Sequence, residues 1–159
     1  MNHHCNLEKE TVSIKIPAGV TEGVQLKVNG KGNAAPGNNA IDGDLIVVIE
    51  EIAHETLKRE GTNLHFDLYI NFSEAVLGIS KNIDTVTGKV KIKIEPGTQS
   101  GKILRLRGKG LPTVNSYEKG DLLVNINVWI PQKLSKEETK ILEKLNESEM
   151  TSKLTWICP

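Results

Sequence analysis

The stretch from Ile16 to Gly32, IPAGVTEGVQLKVNGKG, is written a second time from Ile94 to Gly110 as IEPGTQSGKILRLRGKG. Without a gap, Ile16, Gly19, Gly23, Leu26, Gly30, Lys31 and Gly32 fall on Ile94, Gly97, Gly101, Leu104, Gly108, Lys109 and Gly110. Each copy then runs into Gly-Asp-Leu and an apolar segment: Gly43-Asp44-Leu45 followed by IVVI, and Gly120-Asp121-Leu122 followed by LVNINVWI. A period this long marks a duplicated structural unit, and what the copies share is largely turn glycine and core aliphatic residues. The chain is therefore expected to fold as two units of similar build in series.

The 159 residues would serve for one ordinary domain or two small ones, so the duplication decides in favour of two. Lys+Arg and Asp+Glu both number 20, and with no net field there is no general attraction for nucleic acid or an anionic membrane. No apolar run reaches the length of a membrane span, and no secretory signal pattern opens the chain. Cys5 and Cys158 sit at opposite ends, which speaks against a structural disulfide and for a reduced, cytoplasmic chain. His3-His4-Cys5 falls short of the four fixed ligands of a structural metal site.

Nearly every segment alternates with the period of a half-buried strand. Val12, Ile14 and Ile16 share one face, Gln25 to Val28 make a short second strand, and Leu45 to Ile49, apolar on both faces, reads as a strand central in its sheet. In the second unit Leu64, Phe66, Leu68 and Ile70 oppose His65, Asp67, Tyr69 and Asn71. Ser73 to Gly78 then reads as a helical turn capped by Ser73 and closed by Gly78. A Thr87-Gly88 turn leads to Val90, Ile92 and Ile94, set against Lys89, Lys91 and Lys93, and the last strand alternates from Leu122 to Ile130 before Pro131. Ser135 and Glu138 form a capping box for a helix whose apolar stripe is Ile141, Leu142 and Leu145. Thr151 to Pro159 has no pattern.

Laid against each other, the copies are unequal. Some 30 residues from Asn63 precede the repeated phrase in the second unit, but only Met1 to Lys15 do so in the first. The first unit is thus expected to lack an opening strand and helical turn, and to present an unpaired sheet edge or an incomplete core.

Catalytic chemistry finds little support. His54 stands beside Glu55, but Asp44, Asp67 and Asp121 are scattered, and Asp44 and Asp121 are equivalent repeat positions better suited to holding turns. Gly30-Lys31-Gly32 and Gly108-Lys109-Gly110 lie between strands, unlike a phosphate loop, and read as turns with positive φ. Lys89, Lys91, Lys93, Arg105, Arg107 and Lys109 make a solvated basic face or a site for an acidic partner. What this architecture does readily is bind peptide: an open edge accepts an extended chain as an added strand.

A set of phrases now resembles a known family. They include Ile16-Pro17-Ala18-Gly19-Val20, Asn29-Gly30-Lys31-Gly32, Gly43-Asp44-Leu45, His54 to Arg59 (HETLKR), Asn71 to Gly78 (NFSEAVLG), Gly97 to Gly101 (GTQSG), Leu104 to Pro112 (LRLRGKGLP), Gly120-Asp121-Leu122 and Pro131 to Ser135. In this order they are similar to the C-terminal peptide-binding domains of DnaJ-type (Hsp40) co-chaperones. In that family a zinc-binding Cys-rich insertion interrupts the first domain, so the resemblance implies a chain beginning just after it, with Cys5-Asn6 as a remnant. It implies no J domain, since His-Pro-Asp is absent, and no zinc or other cofactor, since no Cys-x-x-Cys occurs.

The resulting expectation is a mostly β chain of two tandem, similar, β-sandwich-like domains, the first truncated, followed by a C-terminal α-helix. Residues 1–10 would form a disordered segment, 11–56 the partial first domain, 57–132 the second, 133–147 a dimerisation helix and 148–159 an irregular tail. The resemblance implies client-peptide binding at Val12, Ile14, Leu45 and Val47, and homodimerisation through Ile141, Leu142 and Leu145. Partners would be unfolded polypeptides and, indirectly, Hsp70, with no nucleic acid, no membrane, no metal and no catalysis. The alternatives are a dimerisation module with an inert groove, and an enzyme using His54 with a nearby aspartate.

Overall fold

The computed structural model describes residues 9–35, 41–114 and 116–148. His3-His4-Cys5, Cys158, all but two residues of the expected N-terminal segment and all but Ser148 of the tail lie outside the described residues. In the first unit, β1 (Gln25–Val28) and β2 (Leu45–Val48) form an antiparallel ladder that sets Leu26 beside Val47 and Val28 beside Leu45. The second unit comprises β3 (Leu57–Glu60), β4 (Asn63–Asn71), α1 (Phe72–Leu77), β5 (Ile79–Thr85), β6 (Gly88–Ile94), β7 (Ile103–Leu106) and β8 (Leu122–Trp129). The helix α2 (Lys136–Asn146) follows it.

Four strands of the second unit form one sheet in the order β3-β4-β8-β7, with β4 and β8 parallel and the flanking pairs antiparallel. β5 and β6 make a separate hairpin. Alternation decides what meets inside: Leu64, Leu68 and Ile70 from β4 and Leu122, Val124 and Ile126 from β8 bury one sheet face against Ile83, Ile92 and Ile94 of the hairpin and Ala75 of α1. Burying each large aliphatic side chain contributes about 1.5–3 kcal/mol, so this two-layered core stabilises the whole second unit.

Several local expectations change in the structure. The cap of α1 is Asn71, not Ser73: Asn71 Oδ1 accepts the Glu74 N–H at 2.7 Å, and Glu74 returns a carboxylate to the Asn71 N–H. Asn71 takes this role because β4 runs straight into the helix and leaves its last residue extended at the junction. The hairpin loop is Val86-Thr87, with Gly88 at φ 112° already paired to Thr85. β3 was not legible as a strand, because Leu57 is the single aliphatic residue of LKRE.

The duplication extends to individual hydrogen bonds. Ile49 donates to Val24 and accepts from Gly23, as Ile126 donates to Lys102 and accepts from Gly101. Gly32 donates to Gly43 at 2.7 Å, as Gly110 donates to Gly120 at 2.8 Å. In each Gly-Lys-Gly only the first glycine has positive φ, 65° at Gly30 and 67° at Gly108. The second is required by close approach, since a Cβ on Gly32 would stand 2.6 Å from the Asp44 carbonyl oxygen and one on Gly110 2.5 Å from Gly120.

Cover is where the copies part. Every core residue lies between Leu64 and Ile126, and none of the described residues of the first unit belongs to it. The segment Val12–Ile16 is no strand, contrary to its alternation. Its equivalents Val90, Ile92 and Ile94 are held by β5, whereas the positions matching β5 in the first unit, residues 1–7, lie outside the described residues. Likewise β2 is not central: its ladder with β1 is its one pairing among the described residues, while β8 is flanked on both sides.

Candidate functional site

Each apolar strand of the repeat is entered through a carboxylate clip. Asp44 accepts the Gly30 N–H at 3.0 Å and pairs with Lys27 at 2.6 Å. Asp121 accepts the Gly108 N–H at 2.8 Å and pairs with Arg105, the residue equivalent to Lys27. The Lys27 ammonium and then the Gly30 amide hold the Asp44 carboxyl below its usual range. For Asp121 the Gly108 amide leads and Arg105 follows. These aspartates fix turns, as their repeat positions predict.

The clip in the first unit leads into β2, which among the described residues pairs with β1 alone. Leu45 and Val47 share the half-buried face of β2, and Ile46 and Val48 on the other face remain 59% and 60% exposed. In the second unit the equivalents of Leu45, Val47 and Ile49 are Leu122, Val124 and Ile126, each 0% exposed. Val12 and Ile14 are also half-buried, in the extended segment ahead of the repeat, where Glu10 pairs with Lys31 of the following turn. The structure thus joins Leu45 and Val47 on one strand face but leaves Val12 and Ile14 off the β1–β2 ladder.

Arg59 ties this open unit to the closed one. Its guanidinium donates to the carbonyls of Gly19 and Val20 at 3.1 and 2.9 Å and meets Glu51 at 3.1 Å. Gly19 also packs so tightly that a Cβ there would lie 2.1 Å from the Pro112 carbonyl oxygen. Sequence reasoning placed Arg59 only inside the phrase HETLKR; a bridge between units leaves no periodic signal.

At the other end, Ser135 and Glu138 form the expected capping box, and no described residue of α2 is buried. Ile141 and Leu142 line a groove of about 590 Å³ with Phe72, Trp129, Pro131 and Leu134. Leu145, a turn further on, is 44% exposed.

The remaining candidates have local roles. His54 Nδ1 accepts the N–H groups of Thr56 at 3.2 Å and Leu57 at 3.3 Å, closing the turn into β3. Asp67 is held by Asn125 at 3.0 Å and Lys58 at 3.2 Å. Lys89 and Lys93 meet Asp84 and Glu95, which offsets part of the basic stretch. No group of three or more His, Cys, Asp or Glu among the described residues could hold a metal ion, and no helix there is long and apolar enough to cross a membrane.

The scaffold is β-rich and internally duplicated, and the core among its described residues lies in the second unit. Residues 2–131 match the DnaJ C terminal domain model, and the chain belongs to that family. Its relatives include the Chaperone protein DnaJ of Bacteroides fragilis, 55% identical over 89% of this chain and 36% of that protein. Those of Bacteroides thetaiotaomicron and Porphyromonas gingivalis are 52% and 48% identical, again over 89% of this chain, covering 35% and 37% of their own lengths. The chain therefore spans little more than a third of the curated relatives it matches.

Proposed function

We propose that this chain is a client-holding part of a DnaJ-type co-chaperone, working in the cytoplasm within an Hsp70 system. Its first domain, 11–56, binds extended apolar segments of unfolded polypeptides at Val12, Ile14, Leu45 and Val47. Its second domain, 57–132, braces the first, and residues 133–147 join two copies. Hsp70 receives the client indirectly from this part. With no Cys-x-x-Cys and no convergent acid–base pair, the role needs neither zinc nor catalysis.

The observation that carries this reading is the unequal burial of equivalent residues. Leu45, Val47 and Ile49 are half-buried, while Leu122, Val124 and Ile126 are sealed. A strand that forms a core in one copy and stays open in the other is a surface for transient apolar contact. Each engaged side chain contributes about 1.5–3 kcal/mol before ordering costs, so binding is weak and tolerant of sequence. Titration of an apolar heptapeptide into isotope-labelled protein is expected to shift the amides around Val12 and Val47. Unmoved signals there would remove the client-binding role.

The exposed stripe on α2 favours a second reading, a dimerisation module whose groove is inert. Sedimentation with and without residues 135–159, beside the same peptide titration, separates the two.

A further inference from the structure

We infer that Arg59 is the positioning residue of the joint between the two units: its guanidinium, held in place by Gly61, grips two successive carbonyls of the first unit and sets the angle at which that unit stands on the second. The inference rests on the reading that the second domain braces the first, and it holds with or without client binding.

The covalent connection leaves the angle open. Between the end of β2 at Val48 and the start of β3 at Leu57 the chain has no helix or strand, and Ile52 in the middle of it is 91% exposed. Among the described residues, neither the strand ladders nor the backbone hydrogen bonds of the loops cross from one unit to the other. Units joined this sparely move relative to each other unless a specific contact holds them.

Arg59 supplies that contact from a fixed base. It sits in β3, and its Nε donates to the Gly61 carbonyl at 2.9 Å, across the turn into β4, which orients the guanidinium plane. Nη1 then donates to the Val20 carbonyl at 2.9 Å and Nη2 to the Gly19 carbonyl at 3.1 Å, while Nη1 also meets Glu51 on the connector at 3.1 Å. The side chain is 16% exposed, so these charge-assisted bonds are little screened. Two neighbouring carbonyls gripped by one rigid plane fix a direction as well as a distance, which the single ammonium of a lysine cannot do.

Gly19 is held from a second side. A Cβ there would lie 2.1 Å from the Pro112 carbonyl oxygen, so the backbone of the first unit rests directly on the loop after β7. The turn itself does not require this, because a Cβ on Gly97, the equivalent glycine, meets nothing within 4 Å. Immediately before Gly19, Pro17 and Ala18 line a cavity of about 440 Å³ together with Thr113, Ser116 and Tyr117, so the two units are not packed together there. The contact on Pro112 is therefore a pivot rather than a broad face, and the guanidinium is what stops rotation about it.

Residual dipolar couplings of backbone N–H groups in the isotope-labelled full chain read the angle directly. In the unaltered chain, couplings from β1 and β2 and from β3, β4, β7 and β8 should fit one alignment tensor. Arg59→Gln should keep both sets of amide signals dispersed but give β1 and β2 smaller couplings and a tensor of their own. Arg59→Lys, which keeps the charge and replaces Arg59→Gln should that variant not fold, should do the same. Glu51→Gln leaves both carbonyl bonds in place and should retain the single tensor. A role confined to stability predicts instead a lower thermal midpoint with one shared tensor in Arg59→Gln, and that result overturns the inference. So does a single tensor in Arg59→Lys, which would reduce the fork to a point charge, or a second tensor in Glu51→Gln, which would transfer the hold to the ion pair. Two tensors in the unaltered chain sink the bracing reading itself, and the inference with it.

Discussion

Equivalent residues in the two copies have the same bonds but different surroundings, and single substitutions should expose the difference. A Cβ on Gly120 would lie 2.0 Å from the Thr62 carbonyl oxygen, whereas one on Gly43 meets nothing closer than 3.5 Å. Gly120→Ala should therefore lower the thermal midpoint sharply and Gly43→Ala leave it nearly unchanged. Leu122→Ala should cost about 2–5 kcal/mol in denaturant unfolding, and Leu45→Ala less than about half of that, because one side chain is sealed and the other half-open. The clips predict a pH response. Depressed carboxyls stabilise the fold above their unfolded value of about 4, and that contribution is lost as pH falls through their folded values. Thermal stability should accordingly drop below about pH 4. Asp121→Asn should be less stable at neutral pH and show a shallower acid limb; an unchanged limb would mean the clip contributes nothing.

At the level of elements, both helices depend on capping boxes, but for different reasons. Asn71 fixes the turn from β4 into α1, whose Ala75 is core; Ser135 starts a helix with no buried residue. Either residue changed to alanine removes about 0.5–2 kcal/mol of local stability. Asn71→Ala should therefore register in global unfolding, and Ser135→Ala only as faster hydrogen exchange within α2. The periodic elements were legible in the sequence because alternation and capping are local signals: β1, β4, β6, β8 and α2 stand where those signals put them. β3 was not, since it owes its existence to a ladder with β4 rather than to LKRE itself. The strand expected over Val12–Ile16 fails for the complementary reason: its pattern is correct, but a strand needs a partner, and none is paired with it among the described residues.

For the whole molecule, the sequence revealed the duplication and its lopsidedness, because identical glycines and aspartates mark equivalent turns. It could not reveal how the units are joined, since the Arg59 bridge and the Gly19–Pro112 contact involve isolated residues with no period. Nor could it reveal that β4 lies parallel to β8, a pairing between segments far apart in the chain. The apolar candidates Leu45 and Val47 were recognisable as a strand face; that they are half-open required the comparison with Leu122 and Val124 in three dimensions. The account's central claim is that one copy is a closed brace and the other an open, peptide-receptive edge. Residue-resolved amide hydrogen exchange on equivalent pairs tests it most directly, because exchange reports local opening. Leu123 and Asn125 should be strongly protected, and Ile46 and Val48 should exchange freely until an apolar peptide is added, when their protection rises. Equal protection of the two sets without peptide, or a gain confined to the second unit, would contradict it.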